Sequence, residues 1–259
     1  MAEKEQKIGF APPLLGDKPV RLGVLAHEPG QWLALDKPAG MLVEAHRWHP
    51  DLPPLMPALQ AQAEAGKREL SPYGLREVGA IYRMEPELSG VLLLAATEGA
   101  RTQLREAYGS GQLELRFTFL AKTDGGPPER VCELPVAVHR IQSRALVSHD
   151  SGKKARTLFT RLEQVGNYTW WEARVSYLRV HQVRLHAAEV GLPIVGDRRY
   201  RGERPILLSR IKKTYRSRGE ERPLYAGICL HLEELSWDGI TVNSPLPKGM
   251  RVLKERLRD

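Results

Sequence analysis

Val91-Leu92-Leu93-Leu94-Ala95-Ala96 is followed by a polar helix-like segment from Glu98 to Tyr108, and then by Leu113-Glu114-Leu115-Arg116-Phe117-Thr118-Phe119-Leu120-Ala121. The first run is continuously apolar and reads as a buried strand; the second is amphipathic and ends at Gly109, a residue suited to a left-handed helix stop. The third alternates apolar with polar or small residues, the period-two pattern of a strand with one buried face. Working outward, Thr157 to Leu162 and Thr169 to Val175 repeat that pattern, and Trp32 to Leu35 is a short strand running into the turn Asp36-Lys37-Pro38-Ala39-Gly40. The spacing of Val183, Ala187 and Val190 predicts a helix from His181 to Val190, closed by Gly191 and Pro193, with Arg184 at the edge of its buried stripe. A short helix is expected around Ala58 to Gly66, in a surface excursion between Pro50 and Tyr73. Strands mixed with helices, without regular β-α alternation, indicate an α+β fold.

The 259 residues are 42% hydrophobic and 27% charged, which describes an ordinary globular chain. No apolar run approaches the roughly 20 residues of a membrane-spanning helix. Residues 1–19 carry charges and Pro12-Pro13 and lack the apolar stretch of a secretory signal, so they are expected to form a flexible cytoplasmic tail before one domain over 20–259. Cys132 and Cys229 lie far apart in apolar segments and are expected to be buried thiols. The formal charge is +8, and between Arg198 and Arg222 ten Lys or Arg face three Glu, a local excess of +7. Tyr200 and Tyr215 lie inside this segment. Cations interleaved with aromatic rings suit a nucleic-acid backbone better than a lipid surface, although a solvated basic face would share the composition.

Several chemistries fail on spacing. Gly152-Lys153-Lys154 lacks the upstream glycine and the Ser or Thr of a phosphate loop. His46 and His49 have no third metal ligand at suitable spacing, and His181 and His186 do not share a helix face. Ser89-Gly90 lacks the preceding glycine of a nucleophile elbow. What remains is Tyr82-Arg83-Met84-Glu85-Pro86-Glu87-Leu88-Ser89-Gly90, which sets a carboxylate on a proline-stiffened turn just before the apolar strand. By its residues alone, Glu85 either does chemistry or serves the turn as a cap or as a partner of Arg83.

Six segments in order resemble the RluA-like RNA pseudouridine synthases: Leu35 to Gly40, Arg83 to Gly90, Arg179-Val180-His181-Gln182-Val183-Arg184-Leu185-His186, Gly196-Asp197-Arg198-Arg199-Tyr200, Leu230-His231 and Ser244 to Pro247. The resemblance spans about Arg21 to Leu257 and covers the catalytic domain without the family's S4 module. It implies an α+β domain on a mixed, largely antiparallel sheet with flanking helices and a central cleft. It also implies a uridine in ribosomal or transfer RNA as substrate, no metal or organic cofactor, and no membrane. The RNA would be structured, with the uridine flipped out; no obligate protein partner is implied, and the chain would work as a monomer. Glu85 stands where the family has its catalytic aspartate, and Arg184 matches the arginine that pairs with that carboxylate. Lys37, Arg83, Arg179, His181 and Gln182 match further cleft or substrate-binding positions, and Phe119 replaces a tyrosine that packs on the target base. Arg198, Arg199, Arg210, Lys212, Lys213 and Arg216 are the candidate grip on RNA.

Four departures gather near the implied reaction centre. They are Glu85 for aspartate, Leu88 for threonine, Phe119 for tyrosine, and Leu178-Arg179-Val180 for Gly-Arg-Thr. They leave open a second reading, an RNA-binding protein that keeps the fold without isomerising uridine. A third is a basic domain whose partner is protein.

Overall fold

The structure, a computed structural model, describes residues 6–211 and 220–258. In chain order the elements are β1 (Lys7–Phe10), β2 (Val20–Glu28), β3 (Trp32–Lys37), α1 (Leu55–Glu64), β4 (Gly79–Ala80), β5 (Ser89–Ala95) and α2 (Glu98–Gly109). Next come β6 (Glu114–Lys122), β7 (Glu129–Cys132), β8 (Val136–Val138), β9 (Ala145–Val147), β10 (Thr157–Val165), β11 (Tyr168–Val175) and α3 (Gln182–Glu189). The chain finishes with β12 (Leu230–Trp237), β13 (Ile240–Asn243) and α4 (Lys248–Arg258). The chain divides into two compact units, where a single domain over 20–259 is expected from sequence. Residues 1–115 and 234–244 make the first unit, and 116–233 and 245–259 the second.

In the first unit β1 pairs with β2, β2 with β3, and β3 with β5, all antiparallel. β4 adds to β5 and β13 to the end of β12. Every residue of β5 is buried, which is why its sequence is continuously apolar rather than alternating. α2 starts where the Thr97 hydroxyl accepts from Ala100 N and buries Ala100, Leu104 and Tyr108 at four-residue spacing. Gly109 stays inside this helix; the left-handed residue is Gly111, at φ 76°. Residues 7–10, assigned to a tail by sequence, form β1 instead, with Ile8 and Phe10 buried. α1 is likewise more than a surface excursion, because Leu55, Met56, Ala58 and Leu59 are buried.

The second unit orders its strands β12-β6-β11-β10-β7, with antiparallel ladders from β10 to both β11 and β7, beside a separate β8–β9 hairpin. The middle of β6 is buried on both faces, not on one: Thr118 lies inside with Phe117 and Phe119, its hydroxyl bonded to Glu233. α4 closes the apolar cluster of Leu120, Trp170, Val195 and Cys229 with Met250 and Leu253. Cys132 and Cys229 are buried and free, and burial raises both thiol pKa values.

Candidate active site

Glu85 is carried by a turn that the chain itself holds from inside. β3 ends at Lys37, a side chain with no solvent exposure, and its ammonium donates to the carbonyls of Leu88 (2.5 Å), Pro38 (3.0 Å) and Pro86 (3.3 Å). Gly40, at φ 90°, lets the backbone fold back so that its N–H also reaches Pro86 O at 2.6 Å. Leu88 N closes the turn on Glu85 O at 3.2 Å. The loop Asp36 to Gly40 and the turn Glu85 to Leu88 are therefore one assembly, 49 to 51 residues apart along the chain.

This corrects the placement of Lys37, expected on the turn that follows the strand and among the substrate-binding residues. An ammonium has three N–H groups, and all three are directed at backbone carbonyls. Burial pushes its pKa down to about 7, while the negative charges of Glu85 and Glu87 act in the opposite direction. Arg83 differs: its side chain is 74% exposed and its Nε meets Glu44 Oε2 at 3.0 Å. An exposed pair of this kind is weak and easily exchanged for another anion. His46 lies beside this pair on the loop 44–49, its ring edge-on to Trp48 at 4.8 Å, and burial together with His49, Arg83 and Arg47 lowers its pKa.

In the second unit, Arg184 is anchored by a partner that its sequence context does not reveal. Its Nε and Nη2 donate to Asp197 Oδ2 and Oδ1 at 2.7 and 2.9 Å, a bidentate pair with side-chain exposures of 2% and 1%. Asp197 Oδ1 also accepts from Arg199 N, which starts the 3₁₀ turn Arg198–Tyr200. The Tyr200 ring lies 5.3 Å from the Arg184 guanidinium, and its hydroxyl meets His181 Nδ1 at 2.8 Å and Ala145 N at 2.7 Å. α3 is therefore buried from Gln182 to Ala187, so Arg184 sits within the packed face and not at its edge. The sequence signal for Asp197 was its place after Ile194-Val195-Gly196: an acid in an apolar run needs a cation.

His181 and Gln182 prove to be ties. His181 adopts φ 55° as the residue preceding α3, and Gln182 is wholly buried. The Gln182 amide accepts from Arg179 N at 2.8 Å and donates to Arg156 O and Thr157 Oγ1. Thr157 in turn bonds His186 Nδ1 at 2.9 Å, while His186 Nε2 meets Leu134 O; burial lowers the His186 pKa. These contacts correct the substrate-binding assignment of Gln182, whose polar atoms are all engaged by protein. Phe119 is also corrected, because its ring has no exposed surface and packs edge-on against Phe159 at 5.8 Å. Arg179 remains half-buried and stacks on Tyr177 with its guanidinium 4.2 Å from the ring centre.

Arg198, Arg199 and Arg210 are exposed. Arg199 is partly committed, binding the carbonyl and hydroxyl of Ser143 at the β8–β9 hairpin. Lys212, Lys213 and Arg216 lie outside the described residues. Among the described residues no three His, Cys, Asp or Glu side chains gather as a metal site, and no helix is long and apolar enough to cross a membrane.

The chain is similar to proteins of one chemistry. The sequence pattern of the RNA pseudouridylate synthase family matches residues 31–189. A ribosomal large subunit pseudouridine synthase D of Haemophilus ducreyi is 26% identical over 262 residues, covering 99% of this chain and 75% of that protein. An uncharacterized RNA pseudouridine synthase of Chloroflexus aurantiacus is 28% identical, covering 86% of this chain and 66% of its own length. Among solved structures, human RNA pseudouridylate synthase domain containing 4 shares the fold with a TM-score of 0.68. It does so at 18% identity, over 91% of this chain and 92% of that one.

Proposed function

The chain belongs to the RNA pseudouridylate synthase family, and from that membership we propose that Glu85 is its catalytic carboxylate, with Arg184 as the second catalytic residue. The protein is an RNA pseudouridine synthase, an isomerase whose substrate is a uridine in RNA. The reaction breaks the bond from ribose C1′ to uracil N1, turns the base while it is held, and joins C1′ to C5. The proton leaves C5 and one is gained at N1, so no atom is added and no electron is lost. Positive character develops at C1′, and a carboxylate there serves as nucleophile or as base, for the reason that glycosidases use one. The observation that carries the assignment is the turn itself. Its carbonyls on either side of Glu87 are bound by the buried Lys37 ammonium. That pre-sets the backbone of Glu85 at a precision on which rate depends, since about 1 Å of misplacement costs on the order of a hundredfold.

The target base must leave its stack to be reached, which calls for cations on the flanking phosphates. Arg83 is open to solvent and its pair with Glu44 is readily exchanged, which supports a role on an RNA phosphate. The relatives named as ribosomal large subunit synthases support a uridine of large-subunit ribosomal RNA as the substrate of this chain.

The test is conversion of uridine to pseudouridine in large-subunit ribosomal RNA of a strain lacking the gene, complemented with wild type, Glu85→Ala or Glu85→Asp. Glu85→Ala is expected to abolish conversion and leave RNA binding within about twofold. Glu85→Asp is expected to lose most activity, because the shorter side chain withdraws the carboxylate from the ribose by about 1 Å, a displacement that costs on the order of a hundredfold. Full conversion by Glu85→Ala would remove Glu85 from the chemistry.

A further inference from the structure

The motif Gly152-Lys153-Lys154, which forms no phosphate loop, leads into an open cleft of the second unit lined by Glu133, Lys154, Ala155, Arg156, Ser176 and Tyr177. Its volume, about 450 Å³, lies within the roughly 300–1,000 Å³ of small-ligand sites. Three of its features concern ligands. Tyr177, two residues past the end of β11, is 37% exposed, and the Arg179 guanidinium lies over its ring at 4.2 Å from the centre. Arg179 is itself immobilised, since its Nε donates to Lys154 O and its backbone N–H to Gln182. Lys154 is exposed, and its ammonium has no hydrogen bond or ion pair among the described residues. Glu133, the carboxylate among the lining residues, meets Arg156 Nε at 2.9 Å in an exposed pair of the same exchangeable kind as Arg83–Glu44, so Arg156 can turn to a phosphate.

We propose that this cleft is a nucleotide subsite, which takes one unpaired nucleotide of the substrate RNA with its base on the Tyr177–Arg179 stack and its phosphate on Lys154 and Arg156. The proposal rests on the reading of the chain as an enzyme of structured RNA and adds where a second nucleotide, distinct from the target uridine, is held. A fixed aromatic-guanidinium platform suits the face of any base, because every base presents a π surface. A free ammonium at the rim suits a backbone phosphate and would release condensed counterions when it binds one. The subsite therefore supplies affinity and register without sequence choice.

The experiment measures binding and turnover of large-subunit ribosomal RNA, isolated from a strain lacking the gene, by the full chain. Tyr177→Ala is expected to weaken binding about tenfold, within the range for loss of one stacked base, and to raise KM while leaving kcat within about twofold. Tyr177→Phe keeps the ring and is expected to restore affinity. Lys154→Ala is expected to lower the slope of log affinity against log salt by about 0.7 to 0.9, one phosphate's worth, and Lys154→Arg to restore it. RNA carrying 4-thiouridine is expected to photocross-link to the peptide containing Tyr177. Unchanged affinity and salt slope in both alanine variants, in protein that melts like wild type, would overturn the subsite, as would cross-links confined to other peptides. Absence of pseudouridine formation by wild type, with these binding effects intact, would instead overturn the enzymatic reading and leave the subsite standing.

Discussion

Replacing Asp197 with alanine is expected to cost a large part of the protein's stability margin. The Asp197 carboxylate accepts from Arg184 Nε at 2.7 Å, Arg184 Nη2 at 2.9 Å and Arg199 N at 3.1 Å, in a place where both side chains are nearly inaccessible to water. Removing it strands a guanidinium that cannot lose its proton, and breaking such a pair costs about 3–5 kcal/mol. Folded proteins hold only about 5–15 kcal/mol in total. At about 2–4 °C per kcal/mol for a chain of this size, the melting temperature should fall by roughly 6–20 °C. The same reasoning sets a sign for the double variant. Arg184→Met with Asp197→Leu removes both charges of this pair and should be more stable than Asp197→Ala, because neither of the two is left charged without the other. The assay is urea unfolding followed by far-ultraviolet circular dichroism, with m-values compared to check that one transition is observed. A loss below about 1 kcal/mol for Asp197→Ala, or a double variant no better than the single one, would refute the claim that this pair ties α3 to the Arg198–Tyr200 turn.

Two further outcomes follow from the same structure. Burial sets the Lys37 pKa at about 7 in the folded protein against 10.5 in the unfolded chain. Between those values the unfolded state binds the extra proton, so stability rises with pH by up to about 1.4 kcal/mol per unit. Lys37→Met should flatten that rise in urea titrations at pH 7, 8 and 9, and parallel pH profiles would place the titration elsewhere. Replacing Arg210, Lys212, Lys213 and Arg216 with alanine should weaken RNA binding and reduce its salt slope by about 0.7 to 0.9 for each phosphate that is no longer neutralised; an unchanged slope would exclude that segment from the interface.

Much of the molecule was determined by the sequence alone. The run Val91 to Ala96 read as a buried strand because it is continuously apolar, and the helix from Glu98 to Tyr108 was legible from its amphipathic pattern, which the structure shows as α2. Local propensity and periodicity carry such elements without help from distant residues. The carboxylate on its proline-stiffened turn was legible for the same reason, because Pro86 and Gly90 act through the backbone next to them. β1 was not legible: Lys-Ile-Gly-Phe becomes a strand only because β2 offers it a ladder, and four residues carry too little pattern to show it. Phe119 was expected from the resemblance to pack on the target base, whereas the middle of β6 is buried on both faces and its ring lies inside. Tertiary structure alone decided the uses of charge. From the sequence, the resemblance placed Lys37 among the cleft or substrate-binding positions and Arg184 as the partner of the Glu85 carboxylate. Their partners, carbonyls 49 and 51 residues away for Lys37 and a carboxylate 13 residues away for Arg184, turn one into the clamp of the Glu85 turn and the other into a buried pair. A charge is long-ranged and lacks direction, so its sequence neighbours do not specify its partner; the enclosure that makes a buried charge costly when unpaired exists only once the chain has folded.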